Sequence, residues 1–345
     1  MRTPDTYITG LGSCVPATVA VADAVADGRY LAEDAALHGL TAVAVAGDVP
    51  APELGLRAAR AALERAGQEA ELVSLLLYAT SWHQGPDGWP PQHHLQRRLG
   101  LDRALAMELR HGCNGMFSAF ELAASHLAAG PVDEAALLVA ADNFSTPMVD
   151  RWRMGPGYLA GDGASALVLG RRGGFARLLS TCTTAVAEAE EVHRCGEPLF
   201  PPGPTLGRGL NFSDRTAVFN RRAGAGFGTS VWMTVHQQLV TVAGRALAEA
   251  GIELGQVARA AFMHYSREIV EHRGMGAIGL PMSRSTFDFG RTVGHLGSSD
   301  HIVALEHLLD TGELRPGEHV LLASIGPGIT ISSAVVRLLE PPPWL

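Results

Sequence analysis

Arg110-His111-Gly112-Cys113-Asn114-Gly115-Met116-Phe117 is a small-residue turn with a thiol at its centre. An apolar pattern begins directly after it, at Phe117, Phe120, Leu122, Ala123 and Leu127. This pattern predicts a buried helix whose N-terminus lies at Cys113. That end of a helix carries partial positive charge and favours a thiolate, so a cysteine placed there is a candidate nucleophile. A free cysteine is also a common small core residue, and this stretch alone leaves both roles open.

On either side, short apolar runs alternate with helical patterns. Tyr7 to Leu11, Val73 to Ala79, Ala135 to Ala141 and Ala164 to Leu169 read as strands, and Pro52 to Ala66 as a helix with Leu54, Leu56, Ala59 and Leu63 on one face. The second half repeats this grammar. Val231 to Ala250 is a helix closed by Gly251, Ala258 to Met263 a strand, and Ser299 to Leu309 a helix, followed by strands over His319 to Ile325 and Thr330 to Leu338. The alternation predicts a mixed α/β fold with helices on both faces of the sheet. Ala185 to Phe227 breaks the rhythm with Gly and Pro clusters, and irregular segments of that length often cover a functional site.

The chain has 345 residues, enough for two fused α/β units. A net charge of −8 with no basic stripe argues against nucleic-acid binding. All 27 fixed cations are Arg, and Arg97-Arg98 reads as a solvated helix face or a weak contact for an acidic carrier protein. The four cysteines, Cys14, Cys113, Cys182 and Cys195, form no C-x-x-C pair, so neither zinc nor a disulfide framework is expected. His83, His93 and His94 lack the carboxylate or cysteine spacing of a metal site, and no metal is expected there. The N-terminal residues lack the apolar core of a signal peptide, and no apolar run is long enough to span a membrane. A reduced, cytoplasmic protein is therefore expected, with Cys113 available as a thiol.

Several motifs, taken in order, resemble the thiolase superfamily and, within it, the ketoacyl synthase III branch. Tyr7-Ile8-Thr9-Gly10-Leu11-Gly12 resembles the family's first strand and turn, and Leu56 to Gly67 its first long helix. Cys113-Asn114-Gly115 resembles its nucleophile segment and Gly161-Asp162-Gly163-Ala164 its Gly-Asp-Gly-Ala turn. His264 follows a strand as the family's first active-site His does. Gly294-His295 stands where the family has Gly-Asn, and Gly326-Pro327-Gly328-Ile329-Thr330 resembles its closing Gly-rich turn. The resemblance covers essentially the whole chain. It implies a duplicated five-layer αβαβα fold, with residues 1–172 carrying the nucleophile and residues 173–345 carrying His264, His295 and Asp300. It also implies a homodimer.

The same resemblance implies that Cys113 attacks an acyl thioester. The oxyanion would be held by the Cys113 backbone N–H and by the closing turn, where Pro327 has no N–H and Gly326 or Gly328 is left to serve. The departures bear on the reaction. Tyr265-Ser266-Arg267 follows His264 where the family has Gln-Ala-Asn, and His295 replaces the Asn, with Asp300 five residues on. One expectation is a Cys113–His295–Asp300 triad in which Asp300 orients His295 and His295 deprotonates an incoming hydroxyl. This looks like the ketosynthase III-like acyltransferases of natural-product pathways, which esterify an alcohol, often a sugar hydroxyl. Asp300 also reads simply as a carboxylate complementing the dipole of the Ser299 to Leu309 helix. The alternative reaction is that of a decarboxylative β-ketoacyl synthase using Cys113, His264 and His295, against which Asp300 argues because its charge sits badly near a developing enolate. A third reading, a non-catalytic subunit on the same fold, fits poorly with a retained cysteine.

The branch that uses coenzyme A has an early Trp and Arg set, absent from the bland stretch Gly39 to Gly47. The expected donor is therefore an acyl carrier protein, with coenzyme A as the other candidate. The thioester is a co-substrate, and no resident cofactor is expected. Arg151-Trp152-Arg153 reads either as a tunnel mouth or as a surface turn.

Overall fold

A computed structural model describes the backbone of residues 1–345 and the side chains of all but residues 223 and 225–229. Its strands are β1 (Tyr7–Cys14), β2 (Thr18–Ala20), β3 (Ala42–Ala44), β4 (Val73–Ala79), β5 (Leu105–Leu109), β6 (Ala135–Asp142), β7 (Gly163–Gly170), β8 (Ala176–Ala185), β9 (Val257–Ala261), β10 (His319–Gly326) and β11 (Thr330–Leu338). The longer helices are α1 (Ala51–Ala66), α2 (Pro91–Leu99), α3 (Gly115–Ala129), α4 (Phe212–Ala250) and α5 (Asp300–Asp310). Apart from the β2–β3 pair, the strands join one sheet in the order β5-β4-β6-β7-β1-β8-β11-β10-β9. The first five in that order come from the N-terminal half and the last four from the C-terminal half. The two groups meet at β1 and β8 through Tyr7↔Arg177 and Ile8↔Ala176.

Central strands are buried on both faces, so alternate side chains serve different layers. Leu75, Leu77, Leu138 and Ala140 pack with α3 and α5, and so do Val320, Leu322, Ala334 and Val336 of the other half. Leu76, Tyr78, Leu137 and Val139 face α1. Leu321, Ala323, Ile331 and Val335 face α4. The two half-sheets therefore clasp α3 and α5 between them, with α1 and α2 on one outside and α4 on the other. Close approach at the outer layer needs a missing side chain: a Cβ on Gly10 would lie 2.1 Å from the carbonyl oxygen of Ala62 in α1.

The irregular reading of Ala185 to Phe227 is corrected in part. Helix α4 begins at Phe212, where the Asn211 side chain accepts the Asp214 N–H at 2.9 Å. It breaks at Gly224 (φ 62°) and resumes, so the helix expected from Val231 is its second segment. Strands β5 and β8 are additions to the sequence reading. Among the described residues, no helix is long and apolar enough to cross a membrane.

Candidate active site

Cys113 sits in a 3-10 turn, Gly112–Asn114, that runs straight into α3. The turn is pinned on two sides. Ser298 Oγ donates to the Gly112 carbonyl at 2.5 Å, and Asn114 Nδ2 donates to the carbonyl and hydroxyl of Thr330 at 3.0 and 2.9 Å. Gly112 has φ +52°, and a Cβ there would lie 2.4 Å from Pro327 Cδ. Only glycine fits where the Cys113 turn meets the β10–β11 hairpin.

His295 comes from the loop before α5. Its N–H donates to Leu159 O at 2.8 Å and its carbonyl accepts the Gly161 N–H at 2.9 Å. The Gly161-Asp162-Gly163 turn is thus the platform for His295. Asp162 itself is buried and holds Arg151 at 3.0 Å together with the N–H groups of Ala46 and Phe144. Arg151 is therefore a structural cation, which corrects its reading as a tunnel mouth.

Cys113, His295 and Asp300 are brought together. Cys113 Sγ lies 3.0 Å from His295 Nε2, and His295 Nδ1 lies 2.5 Å from Asp300 Oδ2. All three are buried, Cys113 being 7 % exposed. Asp300 also accepts the Leu296 N–H on Oδ1 at 2.6 Å and the His264 backbone N–H on Oδ2 at 2.9 Å. Burial alone would lower the His295 pKa, but the Asp300 charge and then the Cys113 charge outweigh it and hold it well above the usual imidazole range. Burial would raise Asp300; the His264 and His295 imidazoles outweigh it and hold it well below the usual carboxylate range. Of the two imidazoles we assign the charge to His295. Burial holds the His264 pKa down despite Asp300, and His264 Nδ1 is 3.0 Å from the Gly294 carbonyl, to which it donates.

His264 departs from expectation. Its ring packs edge-on against Phe289, and a Cβ on Gly290 would lie 2.6 Å from its Cδ2. The side chains on either side of it, Met263 and Tyr265, line the cavity that holds Cys113, and His264 faces the other way. Past β9 the chain is no longer regular strand: it bends at His264, where the Tyr265 N–H donates to the Met263 carbonyl at 2.8 Å. His264 buttresses Asp300 and offers nothing to the thiol.

The cavity at Cys113 is about 840 Å³. Its floor includes Gly326, Pro327 and Ile329 of the hairpin, while Gly328 (φ +75°) turns the chain. Its wall is largely α4, with Phe212, Thr216 and Asn220 before the break and Trp232, Val235 and Leu239 after it. The segment read as a cover thus lines the site. Sequence reasoning missed Tyr158 and Tyr265. Their rings stack at 4.7 Å, and each meets the His295 ring at 5.0 Å and nearly at right angles. The substitution of Tyr265 for a family Gln was the available signal. The stretch Ser81 to Pro91, rich in Trp and Pro, lines a different cavity with Trp82, His83 and Trp89. Among the described residues, no cluster of His, Cys, Asp and Glu has the makings of a metal site.

Behind the site, Asp142 is buried and accepts the N–H groups of Ser81 and Trp82 on one oxygen. Burial outweighs those bonds and raises its pKa to about 7. The folded state therefore favours the protonated form, and its stabilising effect is complete below pH ~4 and lost as pH rises through about 7. Relative to Asp142→Asn, the wild type is expected to lose roughly 4 kcal/mol between those limits, read by denaturant unfolding at a series of pH values. A pH-independent difference would contradict this.

The fold is that of a thiolase-type enzyme of the acyl-transferring or condensing kind. Residues 107–186 match the family model for 3-oxoacyl-[acyl-carrier-protein] synthase III, and residues 247–338 match the model for its C-terminal part. Beta-ketoacyl-[acyl-carrier-protein] synthase III of Pseudomonas aeruginosa PAO1 is 29% identical over 334 residues, covering 96% of each chain. The solved structure of FabH from that organism superposes with a TM-score of 0.78 over 98% of this chain and 99% of its own, at 26% identity. The solved structure of ChlB3, described as an acyltransferase, is 54% identical, with a TM-score of 0.95 over 99% of this chain and 100% of its own. The chain belongs to the ketoacyl synthase III family of the thiolase superfamily.

Proposed function

We propose that the protein is an acyltransferase. An acyl carrier protein, or coenzyme A, delivers an acyl thioester to Cys113, and the acyl group leaves on a hydroxyl of a natural product or sugar. The observation that carries this reading is a single imidazole at the thiol, bonded through one nitrogen to Cys113 and through the other to a buried carboxylate. That arrangement suits a general base with a fixed tautomer. Decarboxylative condensation calls for two donors at the malonyl carbonyl. His264, the second candidate, is turned away, and the Asp300 charge would oppose a developing enolate. The likeness to ChlB3 supports the same reading.

In the first half-reaction the Cys113 thiolate adds to the thioester carbonyl. The tetrahedral intermediate then expels the carrier thiol, which takes its proton from His295. In the second, the acceptor O–H gives its proton to His295 Nε2, the new C–O bond forms and the C–S bond to Cys113 breaks. Backbone N–H groups of Cys113 and of Gly326 or Gly328 are the proposed oxyanion donors. Neither half-reaction calls for a resident cofactor. The protein is proposed to work as a homodimer, since edge strand β5 presents Leu105 (54 % exposed) and Met107 (36 %) beside its unpaired backbone. A monomeric mass in solution would overturn that.

The test is intact mass after exposure to malonyl and simple acyl thioesters, followed by a chase with a hydroxyl acceptor. An adduct on Cys113 that leaves with the alcohol, malonyl carboxylate retained where present, is expected. Release of CO2 with a β-keto product would establish condensation instead.

A further inference from the structure

The oxyanion site is short of backbone donors. Pro327 has no N–H, and the Ile325 N–H is spent on Met263 Sδ at 3.4 Å. His264, the imidazole next along the chain, donates to the Gly294 carbonyl. The two tyrosines at the site are placed differently. The Tyr158 hydroxyl lies over Gly155, where a Cβ would come within 2.3 Å of it. Tyr265 is partly exposed, lines the cavity with Cys113, and is held from both sides by stacking on Tyr158 and by the edge-to-face contact with His295. We propose that Tyr265 is a catalytic hydrogen-bond donor: its phenol O–H binds the carbonyl oxygen of the acyl thioester as Cys113 attacks, making up for the N–H that Pro327 lacks.

No proton is transferred in this step. The C–S bond to Cys113 forms, the carbonyl π electrons move onto oxygen, and the phenol keeps its proton while sharing it with that oxyanion. The group is suited to donate and not to ionise. Burial and the neighbouring charge at Cys113 hold its pKa well above the ordinary phenol value, so it remains an O–H donor across the working range. Preorganisation matters because a donor fixed before reaction costs nothing to reorient. The stacked pair and the imidazole edge supply that fixation at 4.7 and 5.0 Å. The same donor serves acylation and release, since both pass through a tetrahedral oxyanion.

The proposal rests on Cys113 being acylated, and its test reads that half-reaction directly, with no acceptor present. Single-turnover acylation by an acyl thioester is followed by intact mass for the wild type and for Tyr265→Phe. Alkylation of Cys113 by iodoacetamide, located by peptide mass, is measured in parallel, because that displacement forms no oxyanion. Acylation is expected to slow by ~10²-fold or more, the usual effect of one lost oxyanion donor, while alkylation stays within about twofold of wild type, well short of the tenfold that a 1.4 kcal/mol change would bring. Equal acylation rates would overturn the proposal. So would a parallel fall in both reactions, which would make Tyr265 a scaffold for His295. Placing 3-fluorotyrosine at position 265 keeps ring and hydroxyl, and acylation near the wild-type rate is expected. A loss as large as that of Tyr265→Phe would overturn the proposal even if the Phe variant folds poorly. If wild-type Cys113 accepts no acyl group, the acyl-transfer reading itself fails and the role of Tyr265 falls with it.

Discussion

Asp300→Asn is expected to reduce turnover by roughly 10⁴-fold, the scale seen when the carboxylate of a nucleophile–His–acid triad is made an amide. The structure explains why the effect should be this large. Asp300 accepts from His295 Nδ1, from the Leu296 N–H and from the His264 N–H, so every close neighbour of its oxygens is a donor. An amide must turn its NH2 toward one of them. Either His295 takes the wrong tautomer or a backbone N–H is orphaned beside a fully buried side chain. Removing one member of a buried pair also destabilises the fold, by about 3–5 kcal/mol. That part has a pH signature. The Asp300 carboxyl is depressed in the folded state, so its contribution is present above pH ~4 and is lost as pH falls through the folded value. Unfolding curves for wild type and variant should converge in acid. Equal turnover at neutral pH would remove Asp300 from the mechanism and leave it as a helix-dipole partner at the start of α5.

Cys113→Ala is expected to abolish the covalent adduct and to lower turnover by up to ~10⁶-fold, with only the residual effect of binding and oxyanion stabilisation remaining. The fold should survive, because Cys113 fills little space and its turn is held by Ser298 and Asn114, not by the thiol. The informative comparison is with His295→Ala. If the two are a unit, the double variant should be no slower than the worse of the single ones. Additive losses would show that His295 acts apart from the nucleophile.

How far these features can be read from the chain depends on local pattern. Val73–Ala79 and Thr330–Leu338 are legible because each carries an unbroken apolar run, Leu75 to Ala79 and Ala334 to Val336. Strand β8 (Ala176–Ala185) is not, because Arg177, Ser180, Thr181 and Thr183 interrupt its apolar residues, although Ser180 and Thr181 are buried in the fold. The first segment of α4 is hidden by the glycines between Arg222 and Thr229, although the Asn211 cap was a usable sign. Cys113, His295 and Asp300 are legible as a set because each stands in a motif of fixed spacing. The direction in which His264 points is not. A tight turn at His264 decides whether its side chain lies at the thiol or behind it, and no residue pattern around Met263-His264-Tyr265 announces that turn.

The clasp of two half-sheets around α3 and α5, with α4 on the outside, separates what the enzyme does from what it accepts. Cys113 and Asp300 stand at the N-terminal ends of the two enclosed helices, which pack against both half-sheets. The wall of the reaction chamber is the inner face of α4, a peripheral element bearing Phe212, Asn220, Trp232 and Leu239. Changes there lie apart from the central packing, so their effects on stability should sum independently of it. Such a protein can be retuned to new acyl groups or acceptors by drift in one outer helix, while the reaction it performs stays under a much stricter constraint.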